Sequence, residues 1–155
     1  DFSPDDLKTS NVVLLGSSRS NPWVQFFAGS MNFGFQHDNA AKFGSIINNH
    51  PMPGEQKVYA TVPISSMVDS YGVIAFLPNL AGTGNVLILA GAGMHATESA
   101  GEIVTRDKLW ADVVRVLGLK SSDSLPYFEV LLKTRVMGAT MQRPQIIAWR
   151  RHPAH

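Results

Sequence analysis

The sequence predicts an α/β protein: a three-layer, Rossmann-like mixed sheet with helices on both faces and an antiparallel C-terminal strand pair. Three observations predict it. Asn11-Val-Val-Leu-Leu-Gly16 and Asn85-Val-Leu-Ile-Leu-Ala-Gly91 are apolar, Gly-ended runs followed at once by a small polar turn and a helix start. Between residues 94 and 117 the apolar positions recur at helical spacing, long enough for a right-handed parallel crossover. Tyr127–Val136 and Gln145–Arg150 flank the loop Gly138–Pro144, as two antiparallel strands at one sheet edge do.

Taken in order, Ser3-Pro-Asp-Asp6 starts a short helix, with Ser as cap, Pro in the first turn and acids at the positive end of the dipole. Asn11–Gly16 lacks alternation, as a strand covered on both faces does. Asn21-Pro22 opens a helix that buries Trp23, Val24, Phe26 and Phe27 and closes at Gly29. Met31–Phe35 alternates as a short strand, and residues 36–57 read as loop with a turn around Phe43–Ile47. Lys57–Pro63 and Tyr71–Leu77 are strands, and the turn Pro78–Gly84 lets Tyr71–Leu77 and Val86–Ala90 pair antiparallel. A helix spans Met94–Val104. Thr105 caps a second, in which Leu109, Trp110, Val113, Val114 and Leu117 share a face up to Gly118.

Bulk properties narrow the class. The 155 residues suit a single domain, 1–155, able to bury a core without staples. With 45% hydrophobic and 16% charged residues the composition is that of a globular domain. A net charge of +1 argues against nucleic-acid or acidic-membrane partners. The absence of cysteine excludes disulfides and thiolate metal sites and leaves cytoplasm and periplasm both open. Apolar runs such as Val86–Ala90 fall far short of the ~20 residues a membrane helix needs, and no signal peptide is present. The chain opens on Asp1, as a mature product or a domain excised from a longer chain does.

Chemistry concentrates at the two turns. In Gly16-Ser-Ser-Arg-Ser-Asn-Pro22, hydroxyls, Arg19 and a helix N-terminus make a candidate anion site, with Arg19 able to take a carboxylate or phosphate in two-pronged fashion. The same turn read structurally is a cap in which Ser20 or Asn21 bonds free N–H groups, and the two readings are compatible. It has neither the second Gly and Lys-Ser/Thr of a phosphate loop nor the spacing of a nucleophile elbow. In Gly91-Ala-Gly-Met-His-Ala-Thr-Glu98, Gly91 and Gly93 permit a sharp turn or close ligand approach, with His95, Thr97 and Glu98 on the next helix's first turn. A dinucleotide loop would need a third Gly and a later ribose-binding acid, so no cofactor is implied. His95 and Glu98 form an i,i+3 pair, either acid and base or a solvated face. His37 with Asp38, His50, His152 and His155 have no metal-ligand spacing, so no metal is implied. Trp23, Phe26, Phe27 and Trp110 read as core. Lys133, Arg135, Arg143, Arg150 and Arg151 read as charges that blunt the terminal sheet edge, with contact to an acidic partner or upstream domain as the minority reading.

Four segments together resemble a poorly characterised bacterial family, found in Acidobacteria. They are Asn11–Gly16, Asn21-Pro-Trp23, Val86–Gly91 and Ala96-Thr-Glu-Ser-Ala-Gly-Glu102, with Val130–Trp149 similar to the family's closing strands. Ala96 departs from the pattern, which has Gly there and so more room for a ligand. Family members are C-terminal regions of longer proteins with DNA-binding or membrane-anchoring segments upstream, which implies a sensory or accessory role.

Three functional readings follow. One is a ligand-sensing or interaction domain of a larger bacterial regulatory or envelope protein. In it a small anionic or polar ligand contacts Ser17, Ser18, Arg19, Asn21, Gly91, Gly93, His95 and Thr97. The second is a hydrolase or transferase in the same crevice, with Ser17 or Ser18 as nucleophile, His95 as base and Glu98 orienting it. The third is a purely structural or oligomerising module in which both turns are ordinary caps; an exposed apolar patch elsewhere, or a homo-oligomer with a two-fold interface through the terminal strand pair, would favour it.

Overall fold

The computed structural model describes residues 2–37 and 43–153; Asp38 and His155, named above, lie outside them. Along the chain stand α1 (Asp6–Thr9), β1 (Val12–Leu15), a 3₁₀ segment (Pro22–Ser30), β2 (Phe33–Gln36), β3 (Ser45–Asn48), β4 (Val58–Ala60), β5 (Val62–Ile64), β6 (Met67–Pro78) and β7 (Asn85–Gly91). There follow α2 (Met94–Thr105), α3 (Asp107–Val116), β8 (Phe128–Met137), β9 (Thr140–Met141) and β10 (Gln145–Arg151). A mixed sheet runs β1-β7-β6-β8-β10, with β5 added to β6 and β9 to β8. The second sheet, β2-β3-β4, is antiparallel.

The two Gly-ended runs are parallel neighbours, with Val12–Leu15 opposite Val86–Leu89. β6 pairs antiparallel with both β7 and β8. The α2–α3 connection therefore crosses over one intervening strand to a parallel one. β8 and β10 are antiparallel and end the sheet, with a bulge between Ile146 and Ala148.

Several local expectations are corrected. β1 is an edge strand rather than one covered on both faces: Leu14 is buried, but Val13 and Leu15 are 59% and 60% exposed. Asn21-Pro22 opens a 3₁₀ segment, which buries Val24 and Phe27 while Phe26 stays exposed and stacks on Trp23. The stretch read as loop holds β3, whose Ile46 is fully buried. Lys57–Pro63 is split between two sheets. Thr105 ends α2, its hydroxyl donating to the Gly101 carbonyl at 2.8 Å, and Arg106 caps α3.

Strand alternation gives the main sheet two cores. Ile74, Leu89, Val130 and Leu132 meet α2 and α3. Val73, Ala75, Ile88 and Leu131 face the other way, onto Leu7, Val24, Phe27, Phe33 and Ile46. A full helical layer was expected on that second face. It is instead covered by α1, the 3₁₀ segment and the smaller sheet, because the described residues between 31 and 60 form β2, β3 and β4.

One carboxylate joins the two sheets. Glu129 on β8 is fully buried and accepts hydrogen bonds from the Asn32 and Phe33 N–H groups at 2.8 and 3.0 Å, with His152 Nε2 at 2.7 Å. Asn32 donates to Asn48, which donates to Glu55, and Glu55 receives Arg150 from β10 on both oxygens. The basic residues of the terminal strands and their connecting loop therefore do not merely blunt an edge. Arg150 pairs with Glu55, Lys133 and Arg135 with Asp69, and Arg143 with Asp112. Arg151 donates to the Leu117 carbonyl.

α2 sits unusually close to β6 and β7. A Cβ on Gly91 would lie 2.5 Å from the Thr97 nitrogen, and one on Gly72 2.9 Å from the Ala96 oxygen. Ala96 and Ala100 are fully buried in that seam. We expect Gly91→Ala to cost about 1–3 kcal/mol through overpacking, read by urea denaturation. Gly101→Ala, with open space around its added Cβ, should gain about 0.5–1 kcal/mol.

Glu129→Ala strands two buried N–H groups and should cost about 3–5 kcal/mol in the same assay. Arg150 holds the Glu55 carboxyl down to about 2, and Arg135, with Lys133, holds Asp69 down to about 2. Depressed carboxylates contribute stability above their unfolded values that is lost as pH falls through the folded ones, here from about pH 5 to 2. Allowing for solvent screening, each is worth about 1–2 kcal/mol. The double variant E55Q/D69N should show a flatter decline of Tm between pH 5 and 2.5 than the natural chain.

Candidate functional site

The carboxyl ends of β1 and β7 point the same way, so the turns after them lie side by side. Between them is a cleft of about 980 Å³, its walls formed by Ser17, Arg19, Gly91, Gly93 and Thr97 among others. That volume lies in the range of sites for drug-sized small molecules.

The first turn is built on Gly16. Its φ is +93°, in the left-handed region, and a Cβ there would lie only 2.3 Å from Ser20 Oγ. The Ser17 carbonyl accepts from the Ser20 and Asn21 N–H groups at 3.0 and 2.8 Å, so the chain reverses within four residues. Asn21 Oδ1 accepts from the Trp23 N–H, and its amide donates to the Leu15 carbonyl. The capping reading of Asn21 therefore holds, and both ends of its side chain are occupied. Ser17 is buried in the cleft wall, whereas Ser18 lines a different groove with Val24, Gln25 and Gln36. Arg19 is exposed, and no described residue forms an ion pair with it.

The second turn is built on Gly91, and its glycine serves helix packing rather than ligand approach, as the steric distances above require. Gly93 is the N-cap of α2 and carries no side-chain cap, so the first-turn N–H groups keep their hydrogen-bonding capacity. Thr97 remains in the wall. Ala96 is fully buried against the sheet, so the small-residue position singled out in sequence faces inward. His95 does not line the cleft. It is half exposed on the outer surface, 3.8 Å from Glu98, with no hydrogen bond to either serine.

Sequence reasoning missed the contribution of the second sheet. His37, just after β2, and Gly44, just before β3, form part of the wall, and Gly44 N–H donates to the Ala92 carbonyl at 3.3 Å. Both His37 ring nitrogens are buried with no hydrogen-bond partner among the described residues. Burial, then the charge of Arg19, holds this imidazole below its ordinary range. Leu15, Met94 and Gly101 supply apolar wall. Only a buried β3 brings His37 and Gly44 to the two turns, and Ile46–Ile47 was the apolar pair that signalled it.

Among the described residues no cluster of three or more metal-ligating side chains stands together, and no helix is long and apolar enough to cross a membrane. No family model, curated protein or solved structure matches this chain.

Proposed function

We propose that this chain is a ligand-sensing or interaction domain that binds a small anionic or polar molecule in the cleft between the β1 and β7 turns. One observation carries the reading. Arg19, without an ionic partner among the described residues, borders a cleft that also holds the uncapped N-terminus of α2. A guanidinium and free N–H groups facing one space form an anion site. Ser17 and Thr97 add hydroxyls, and His37, whose pKa burial lowers, adds a hydrogen-bonding ring.

In this reading the Rossmann-like character of the chain resides in the crevice at the carboxyl ends of two parallel strands, the position at which open α/β sheets bind ligands. The similarity of Asn21–Trp23 and Val86–Gly91 to a family of C-terminal domains supports placing it in a larger bacterial regulatory or envelope protein. Ser18, Asn21 and His95 are left out of the ligand shell, since each is turned elsewhere or already bonded.

A thermal-shift panel of phosphate, sulfate and carboxylate salts tests the reading. A binding anion at 100 times its Kd should add about 2.7 kcal/mol of stability, and Arg19→Gln should remove at least 1 kcal/mol of that gain, about the worth of one charge-assisted hydrogen bond. Equal shifts in the natural chain and the variant would count against the site.

A further inference from the structure

The cleft's wall is more apolar, and closer to charge-neutral, than a general anion site requires. Leu15 and Met94 are 60% and 79% exposed, the two largest exposures among the large hydrophobic side chains. Both line this cleft. Beside them Gly101 turns a bare backbone to the space, with nothing within 4 Å of where its Cβ would be. Val13, two residues before Leu15 on the same face of β1, extends the apolar strip outward at 59% exposure. Among the described residues of the wall, the carboxylate of Glu98 and the guanidinium of Arg19 are the charged groups. A lone guanidinium with a carboxylate in the same wall suits a single negative charge. A phosphate dianion would meet Glu98 with its second charge.

We propose that the ligand is an amphiphilic monocarboxylate. Its carboxylate is held by Arg19 and the first turn of α2, and its acyl or aryl body lies over Leu15, Met94 and the gap at Gly101. This rests on the anion-binding reading above and narrows it to one ligand class. The exposed apolar groups then have a partner, and Gly101, a costly residue inside a helix, has a use as the floor under the ligand body.

Calorimetric titration of the whole chain with butanoate, hexanoate, octanoate and inorganic phosphate at pH 7 tests it. Affinity should rise about fourfold for each methylene added, with phosphate weaker than hexanoate. Gly101→Leu should weaken octanoate at least tenfold and leave butanoate within twofold. Met94→Ser, at an exposed position that does not threaten folding, should weaken octanoate severalfold. Arg19→Gln should weaken every carboxylate. Flat affinity along the series, phosphate equal to octanoate, or octanoate binding indifferent to Arg19→Gln would overturn the amphiphile. Phosphate or butanoate binding that depends on Arg19 would in those cases leave the anion site standing. No binding by any of the four would remove both.

Discussion

The arrangement of this protein depends on a carboxylate in the middle of an apolar strand. Glu129 sits between Phe128 and Val130 with no exposed surface, where an ionised group without partners would cost several kcal/mol. Its partners come from outside the main sheet: two backbone N–H groups at the start of β2 and the ring of His152 beyond β10. Satisfying that charge sets where β2 begins. The relay from Asn32 through Asn48 and Glu55 to Arg150 then locks β3 and β10 to the same point. The smaller sheet is thus docked by polar bonds as much as by the apolar contacts of Phe33 and Ile46.

That docking reaches the cleft. β2 leads directly to His37, and Gly44 leads directly into β3, so a sheet anchored at Glu129 supplies one wall of a space whose other walls are the β1 and β7 turns. The opposite wall depends on a second constraint, the close seat of α2 on Gly72 and Gly91. A bulkier residue at either position would lift the helix and move its first turn, with Gly93, Met94 and Thr97, away from Arg19. Gly91, which looked in sequence like room for a ligand, is in fact room for a helix.

Charge is distributed with the same economy. Lys133, Arg135, Arg143 and Arg150 each have an acidic partner, Asp69 across strands, Asp112 on α3 or Glu55 in the turn before β4. Against that background Arg19, on a short turn held by Gly16 and Asn21, is set apart. A cation that contributes no ion pair to the fold among the described residues is available for recognition, and the exposed Leu15 and Met94 beside it mark the same place.

The sequence by itself determined what local pattern controls. The β1 and β7 runs, the β6–β7 and β8–β10 antiparallel pairs, the start of α2 and the cap at Asn21 were all legible, because apolar periodicity and turn chemistry act over a few residues. So was the convergence of Ser17, Arg19, Gly93 and Thr97, which follows from two like-directed strand ends. Only the tertiary structure decided the rest. That β1 lies at an edge with Val13 and Leu15 uncovered depends on which strands flank β7. That Asn21 and Ala96 face away from the cleft depends on bonds and packing across the turn. Glu129 looked like one acid in a strand, and its partners lie almost a hundred residues away in sequence at Asn32 and Phe33. His37 and Gly44 join the site because the bonds to Glu129 and the apolar contacts of Phe33 and Ile46 together dock a second sheet beside it. Burial and long-range hydrogen bonding are properties of the assembled chain, and no local pattern encodes them.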